Sequence, residues 1–216
     1  MKAYTKPALA VFLILLADQV LKFWIKLHMS MGQEYKVAGD WFIIHFTENN
    51  GMAFGMEFGG EAGKLFLTLF RILAVCGIGY GVIHLIKKKY HRGLILNVAL
   101  IFAGAMGNII DSTFYGLIFS DSTYYQPAKL FPAGGGYAGL FHGKVVDMFY
   151  FPLLEGHFPG WVPFWGGQDY IFFRPVFNVA DAAISVGVIL ILLFQRNYFK
   201  EEIKEELHPH SEIVEE

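Results

Sequence analysis

Seven polar side chains stand inside long apolar stretches of this chain: Asp18, Lys22, Asn108, Asp111, Asn178, Asp181 and Asp147, the last within Val145-Val146-Asp147-Met148-Phe149. An ionisable group surrounded by apolar residues is costly to bury, so each is a candidate for function. Asp18 and Lys22 are four residues apart, and Asn108/Asp111 and Asn178/Asp181 are each three apart. On a helix every one of these pairs shares a face. Two carboxylates held together away from bulk water do not both ionise easily and tend to share one proton. The charged member can take a proton from water while the protonated member polarises a carbonyl, which is the chemistry of an aspartic peptidase. Other hydrolytic sites lack their residues. There is no His-Glu-x-x-His, the eight histidines are scattered, there is no Gly-x-Ser-x-Gly, and Cys76 lies in mid-span without a nearby base.

Each residue also has a plain structural reading. Asp18 and Lys22 can neutralise one another as an intrahelical ion pair. Asn97 is read as a helix–helix hydrogen bond, and Arg71 as a cation that snorkels to the outer headgroups. Asp147 can be an exposed loop acid between apolar anchors. Asp111 competes with Asp147 for a catalytic role, because it lies in a convincing span, and periodicity alone favours pairing Asp111 with Asp181. The coincidence of several acids at one depth is what the plain readings leave unexplained.

The elements that must position these residues are membrane spans. The 216 residues are 55% hydrophobic and only 17% charged, with a mean hydropathy of +0.42. Soluble domains carry about 25% charged residues. A net charge of −2 gives no case for nucleic-acid binding, and a single cysteine excludes a disulfide framework or a multi-cysteine metal site. Four stretches are long and apolar enough to cross a bilayer, at about 7–28, 64–86, 94–119 and 175–194. The first has basic residues and an apolar run like a cleavable signal peptide. No small-x-small site follows the run, however; Asp18 does, so a retained span is expected. Lys2 and Lys6, the 87–92 cluster Lys87, Lys88, Lys89 and Arg92, and Arg196, Lys200 and Lys204 all fall on one side if the chain crosses four times, which makes both termini cytoplasmic. Asp18 then lies ~16 Å along the first helix and Asp111 ~25 Å along the third, while Asn178 and Asp181 open the fourth. All six groups on the spans belong to the outer half of the bilayer.

Two segments are left outside. Residues 36–49 hold β-prone residues around a Gly39-Asp40 turn, which predicts a small sheet. The outer segment 120–174 is rich in Gly, Pro and aromatics, including Trp161 and Trp165, and is expected to lie on the membrane and cover the site. Gly134-Gly135-Gly136 is a flexible point there, and a hinge for a mobile lid is expected. Residues 1–200 read as a single integral-membrane domain and 201–216 as an acidic cytoplasmic tail.

Five ordered blocks carry a resemblance. Asp18-Gln19-Val20-Leu21-Lys22, Asn49-Asn50-Gly51-Met52-Ala53-Phe54, Gly107-Asn108-Ile109-Ile110-Asp111, Val145-Val146-Asp147-Met148 and Phe177-Asn178-Val179-Ala180-Asp181-Ala182-Ala183-Ile184 occur in this order over most of the chain. Together they resemble lipoprotein signal peptidase (signal peptidase II), a family of bacterial integral-membrane aspartic peptidases. The third block departs from the family's usual pattern, with Ser112 where Arg is common, and the stretches from Asp111 to Asp147 and from Asp147 to Asp181 are longer than in compact members.

The resemblance implies a four-transmembrane-helix bundle, mainly α, with a small extracytoplasmic β element. It implies an endopeptidase that removes signal peptides from prolipoproteins before the diacylglyceryl-modified cysteine, in the bacterial inner membrane with its active site toward the outer leaflet. Asp147 and Asp181 are the implied catalytic pair. Asp18, Lys22, Asn49, Gly51, Asn108, Asp111, Asn178 and Ala180 are the implied substrate-binding or supporting residues. No metal or organic cofactor is implied. The expected partners are lipid-modified prolipoproteins and membrane lipids, with no nucleic acid, and the chain is expected to act as a monomer. The competing class is a small proton- or ion-coupled transporter, since intramembrane acids also serve proton relays. Against it, the acids cluster in one leaflet and the chain has no internal repeat.

Overall fold

A computed structural model of the chain describes residues 2–50, 60–152, 154–172 and 175–198. Four helices among these residues are long and apolar enough to cross a bilayer: Ala3–His28, Gly60–Lys87, Arg92–Ile118 and Val179–Tyr198. The elements run α1 (Lys2–His28), β1 (Glu34–Ala38), β2 (Phe42–Asn49), α2 (Gly60–Lys87), α3 (Arg92–Ile110), a π-helical turn (Asp111–Tyr115), the single turn α4 (Gly116–Ile118), β3 (Val145–Tyr150), β4 (Leu154–His157), β5 (Asp169–Phe172), β6 (Val176–Phe177) and α5 (Val179–Tyr198).

The helices are inside-out by the standards of a protein in water. On α1 the residues turned inward are Asp18, Lys22, Ile25 and Lys26, all almost fully buried, while Phe12, Leu16, Val20 and Trp24 are exposed. The same holds on α5, where Ala180, Ala183 and Gly187 face in and Val188, Leu192 and Leu193 face out. Such an apolar exterior is what lipid tails require, and it leaves helix association to close packing and polar contacts. Small residues supply the closeness. A Cβ on Gly104 of α3 would lie 2.2 Å from the Ala180 carbonyl oxygen of α5, and one on Gly107 would lie 2.8 Å from the Asp18 carboxylate and 3.2 Å from the Ala180 Cβ. α3 is accordingly the central helix, packed against α1, α2 and α5.

At one end of the bundle sits an antiparallel sheet in the order β1-β2-β3-β6. β2 pairs with β3 so that Thr47 faces Asp147 and Asn49 faces Val145, with an irregularity between Ile44 and Thr47. A second core lies under this sheet, built from Ile25, Met29, Phe46, Tyr115, Phe119, Ala128, Val146 and Met148. Lys26, at the end of α1, donates to Glu48 of β2 and, at 3.0 Å, to Ser122, so helix, sheet and the segment after α4 are joined by a buried polar contact. β4 and β5 form a separate hairpin whose tip exposes Trp161, Phe164 and Trp165.

Two expectations change. The fourth span was expected from residue 175, but Val176 and Phe177 pair with β3 as β6, so the helix begins at Val179. The Gly134-Gly135-Gly136 stretch is not a free hinge. The chain there lies against the end of α3: Tyr137 N–H donates to the Phe119 carbonyl and Ala138 N–H to the Gly116 carbonyl, both at 3.0 Å. Gly136 is glycine because a Cβ would lie 2.0 Å from the Gly116 carbonyl oxygen. Only Gly135, with φ of +86°, uses glycine's conformational freedom. The expected tail, 201–216, lies outside the described residues.

The closeness of α3 to α5 is testable. Gly104→Ala should force the helices apart and destabilise the protein by roughly 1–3 kcal/mol, the usual cost of overpacking. Gly81→Ala on α2, where an added Cβ meets nothing within 4 Å, should leave the melting temperature unchanged or slightly raised. Thermal unfolding in detergent of the two variants checks this.

Candidate active site

The polar residues of α1, α3, β2, β3 and α5 meet where the sheet caps the bundle. The start of α5 explains the arrangement. Asn178 is followed three residues later by Asp181, and the two form a reciprocal capping box. Asp181 N–H donates to Asn178 Oδ1 at 2.9 Å, and Asn178 N–H donates to Asp181 Oδ2 at 3.3 Å. A further amide of the first turn, Ala180 N–H, donates at 2.9 Å to Asp18 Oδ1 from α1. These contacts satisfy helix-terminal donors that would otherwise be orphaned in a buried position.

Capping uses the oxygen of the Asn178 carboxamide and leaves its nitrogen to donate elsewhere. Asn178 Nδ2 lies 2.7 Å from Asp147 Oδ1, 3.1 Å from the Val146 carbonyl and 3.1 Å from Asn108 Oδ1. The other oxygen of Asp147 accepts from Asn49 Nδ2. That contact follows from the sheet register: Asn49 and Asp147 are diagonal neighbours on one face of β2 and β3. Asp147 is 3% exposed and Asn178 fully buried, whereas Asp181 is half-buried. Burial pushes the Asp147 carboxyl up to about 8, and the negative charge of Asp181 adds to the shift. Lys22 and the hydrogen bonds from Asn178 and Asn49 oppose it. At neutral pH Asp147 therefore holds a proton.

Behind this pair lies a second cluster. Lys22 Nζ is 2.8 Å from Asp18 Oδ2 and 2.8 Å from Asp111 Oδ2, with all three side chains fully buried. The ammonium also donates to Asn108 Oδ1 at 3.0 Å. Asn108 passes the connection on, since its Nδ2 donates to Asp181 Oδ1 at 2.8 Å. Asp111 is further held by Gln19 Nε2 at 2.9 Å and by Val146 N–H at 3.3 Å. Gln19 in turn accepts from Tyr115 Oη at 3.1 Å. The π-helical turn begins at Asp111, the point where α3 must present a side chain to both α1 and β3.

The structure thus brings Asp18, Lys22, Asn49, Asn108, Asp111, Asp147, Asn178, Ala180 and Asp181 into one hydrogen-bonded network. Gly51 lies outside the described residues. Asp147 is neither a loop acid nor exposed: it is a strand residue in the most buried part of the sheet. The pairing of Asp111 with Asp181 that periodicity favours does not occur, because Asp111 is taken up by Lys22 and Gln19. Asp18 and Lys22 do form an ion pair, and Asn97 does make a helix–helix hydrogen bond, to Tyr198 Oη at 2.9 Å. Ser112 turns back on its own helix and donates to the Asn108 carbonyl at 3.0 Å.

Two contributors carried no clear signal in the sequence. Gln19 looks like one more polar residue beside Asp18, and Tyr115 like one more aromatic in an aromatic-rich stretch. Arg71 of α2 is half-buried, on one helical stripe with Lys64 and Thr68.

Residues 10–196 match the family described as signal peptidase (SPase) II. A lipoprotein signal peptidase of Porphyromonas gingivalis is 56% identical over 187 residues, covering 86% of this chain and 80% of the relative. One from Amoebophilus asiaticus is 39% identical over 195 residues, covering 89% and 78%. Among solved structures, a bacterial membrane enzyme determined in meso at 1.9 Å shares the fold with a TM-score of 0.56 at 24% identity, covering 88% of this chain and 91% of its own. A second, determined in meso at 2.3 Å, gives a TM-score of 0.55 at 21% identity. With a family match across nearly the whole described length and four apolar helices around a buried acid network, the chain is a multi-pass membrane protein that belongs to the signal peptidase II family.

Proposed function

We propose that Asp147 and Asp181 are the catalytic pair of a prolipoprotein signal peptidase, cutting the peptide bond before a diacylglyceryl-modified cysteine. The observation that carries this is the Asn178 side chain, which caps Asp181 through its oxygen and donates to Asp147 through its nitrogen. One carboxamide thus fixes two carboxyls against each other, one half-buried and one nearly fully buried and protonated.

The ionised carboxylate takes a proton from water as the water oxygen bonds to the scissile carbonyl carbon. The protonated carboxyl gives its proton to the carbonyl oxygen, forming a neutral gem-diol. In collapse, the proton taken from water passes to the leaving nitrogen, the C–N bond breaks, and a gem-diol hydroxyl returns its proton to the other carboxylate. The pair ends as it began. The substrate is a membrane-anchored helix carrying lipid, so it approaches sideways between exposed apolar helix faces, and its anchoring supplies much of the orientation. Asn49 and Asn178 orient the acids; Asp18, Lys22, Asn108 and Asp111 form the frame that holds α1, α3 and α5 in place. Both termini and the 87–92 loop lie in the cytoplasm, since nine of the 17 Lys/Arg fall there, which puts the sheet and the acid pair at the outer leaflet. A transporter role is not favoured, because the family is one of peptidases.

Asp147→Asn and Asp181→Asn should each lower single-turnover cleavage of a lipid-modified precursor by on the order of 10⁴-fold while leaving the protein folded. Asp111→Asn should instead lower the melting temperature, at a cost of about 1–3 kcal/mol, because Lys22, Gln19 and Val146 N–H then compete for one oxygen. Comparable cleavage by Asp147→Asn and wild type would overturn the assignment. The pH dependence has a fixed sign. The active form keeps a proton on Asp147, so kcat/KM should fall as pH rises through about 8. A rate that keeps rising to pH 10 contradicts it. A topology reporter fused after Asn197 should be active only in its cytoplasmic form.

A further inference from the structure

The part of β2 that serves the acid pair is residues 47–49. Thr47 stands opposite Asp147, and Asn49, diagonal to it, donates to its carboxyl. Among the described residues, pairing with β1 covers residues 42–45 of β2, and backbone bonds of Phe46 with Gln33 and Gly32 extend it by one residue. On the other side, the pairing with β3 is irregular between Ile44 and Thr47. Residues 47–49 therefore lie past the irregularity, with β3 as their one paired strand among the described residues. A slip of one residue turns every side chain of a strand to the opposite face. Here it would bring Glu48 beside Asp147 and turn Asn49 into the core.

Glu48 is placed to forbid that slip. Neighbouring strand residues point to opposite faces, so Asn49 reaches Asp147 while Glu48 is directed under the sheet. There it meets Lys26, which lies one turn beyond Lys22 on α1. The Lys26 side chain is 0% exposed and the Glu48 side chain 1%. Lys26 Nζ donates to Glu48 Oε1 and, at 3.0 Å, to Ser122 Oγ; Ser122 Oγ donates to the same Glu48 oxygen at 2.9 Å. Glu48 Oε2 is buried, with Lys144 Nζ 3.8 Å away. Lys144 directly precedes β3. Its N–H donates to Tyr137 Oη at 2.6 Å, and its ammonium lies 3.0 Å from Asp121. The group thus grips β2 at the residue before Asn49 and β3 at its start, and it joins both to α1 and to the segment after α4. A buried pair of this kind adds little stability over well-packed apolar residues, and its best-attested use is to specify register.

Resting on the catalytic pair proposed above, we propose that Lys26 and Glu48 are positioning residues: their buried contact locks β2 in the register that presents Asn49 to Asp147. Neither residue touches the acids or the reacting bond, and each acts through Asn49. The long segment after α4 is then part of the catalytic frame, since Ser122, Tyr137 and Lys144 complete the lock.

The test is cleavage of a diacylglyceryl-modified precursor by proteins purified in detergent, with kcat and KM read separately and the melting temperature alongside. In Lys26→Met/Glu48→Leu apolar side chains replace the pair, so the protein should melt at or above the wild-type temperature. Its kcat should nevertheless fall at least about tenfold, with KM unchanged, because Asn49 is no longer held against Asp147. Adding Asn49→Ala to that variant should lower kcat by less than about twofold more, since the lock acts through Asn49. A stable Lys26→Met/Glu48→Leu enzyme with wild-type kcat overturns the inference, as does a loss that multiplies in full with that of Asn49→Ala. If the double variant does not fold, Ser122→Ala decides. It should lower kcat about threefold alone and not at all in the presence of Asn49→Ala, and a wild-type kcat in Ser122→Ala refutes the lock. Absence of cleavage by wild type would instead count against the peptidase reading, so the two failures are distinguishable.

Discussion

One ammonium group organises this protein. Lys22 lies fully buried between Asp18 and Asp111, and each of those acids reaches onward, Asp18 to the Ala180 amide of α5 and Asp111 to the Val146 amide of β3. The contact therefore ties α1 to α3, to α5 and to the sheet at a single point. Burying three charges is expensive, and breaking such a group by removing a partner costs about 3–5 kcal/mol because a charge is left uncompensated. The value of the cluster lies in what it specifies. No other rotation of α1 satisfies Lys22, so the helix is fixed about its axis in a setting where apolar contacts alone discriminate little between protein and lipid.

The acid pair depends on that frame but has different physics. The Lys22 cluster holds two carboxyl groups against one ammonium, whereas Asp147 sits in the sheet with two amide donors and keeps its proton. Asn178 is the link between them. As the cap of α5 it is set by backbone geometry, and as a donor to Asp147 and Asn108 it transmits that geometry to the strand and to α3. A residue that caps a helix and orients an acid at once cannot be exchanged for another capping residue such as Ser or Asp, which lack the second donor.

The helices, their polar faces and the Asn178/Asp181 spacing were legible in the sequence because a period of 3.6 residues and an apolar background make buried polar residues conspicuous. The place of Asp147 was not legible from periodicity. The apolar residues of β3 could belong to a loop anchor as well as to a strand, and only pairing with β2 puts Asp147 opposite Thr47 and diagonal to Asn49. Asp111 misled for the converse reason: its place on a helix was clear, but its partner, Lys22, lies 89 residues away on another helix. Gly136 misled because glycine serves close approach as often as freedom, and sequence does not distinguish them.

The central claim is that Asp147 and Asp181, held through Asn178, surround the reacting carbonyl. The most direct measurement is the affinity of a lipidated signal-peptide analogue in which a secondary alcohol replaces the scissile amide, titrated onto folded wild type, Asp147→Asn and Asp111→Asn. A tetrahedral hydroxyl seated between the two acids should lose affinity by at least about tenfold, or 1.4 kcal/mol, in Asp147→Asn and keep it in Asp111→Asn. Undiminished binding by Asp147→Asn, with the loss appearing in Asp111→Asn, would contradict the account and move the reacting carbonyl to the Lys22 cluster.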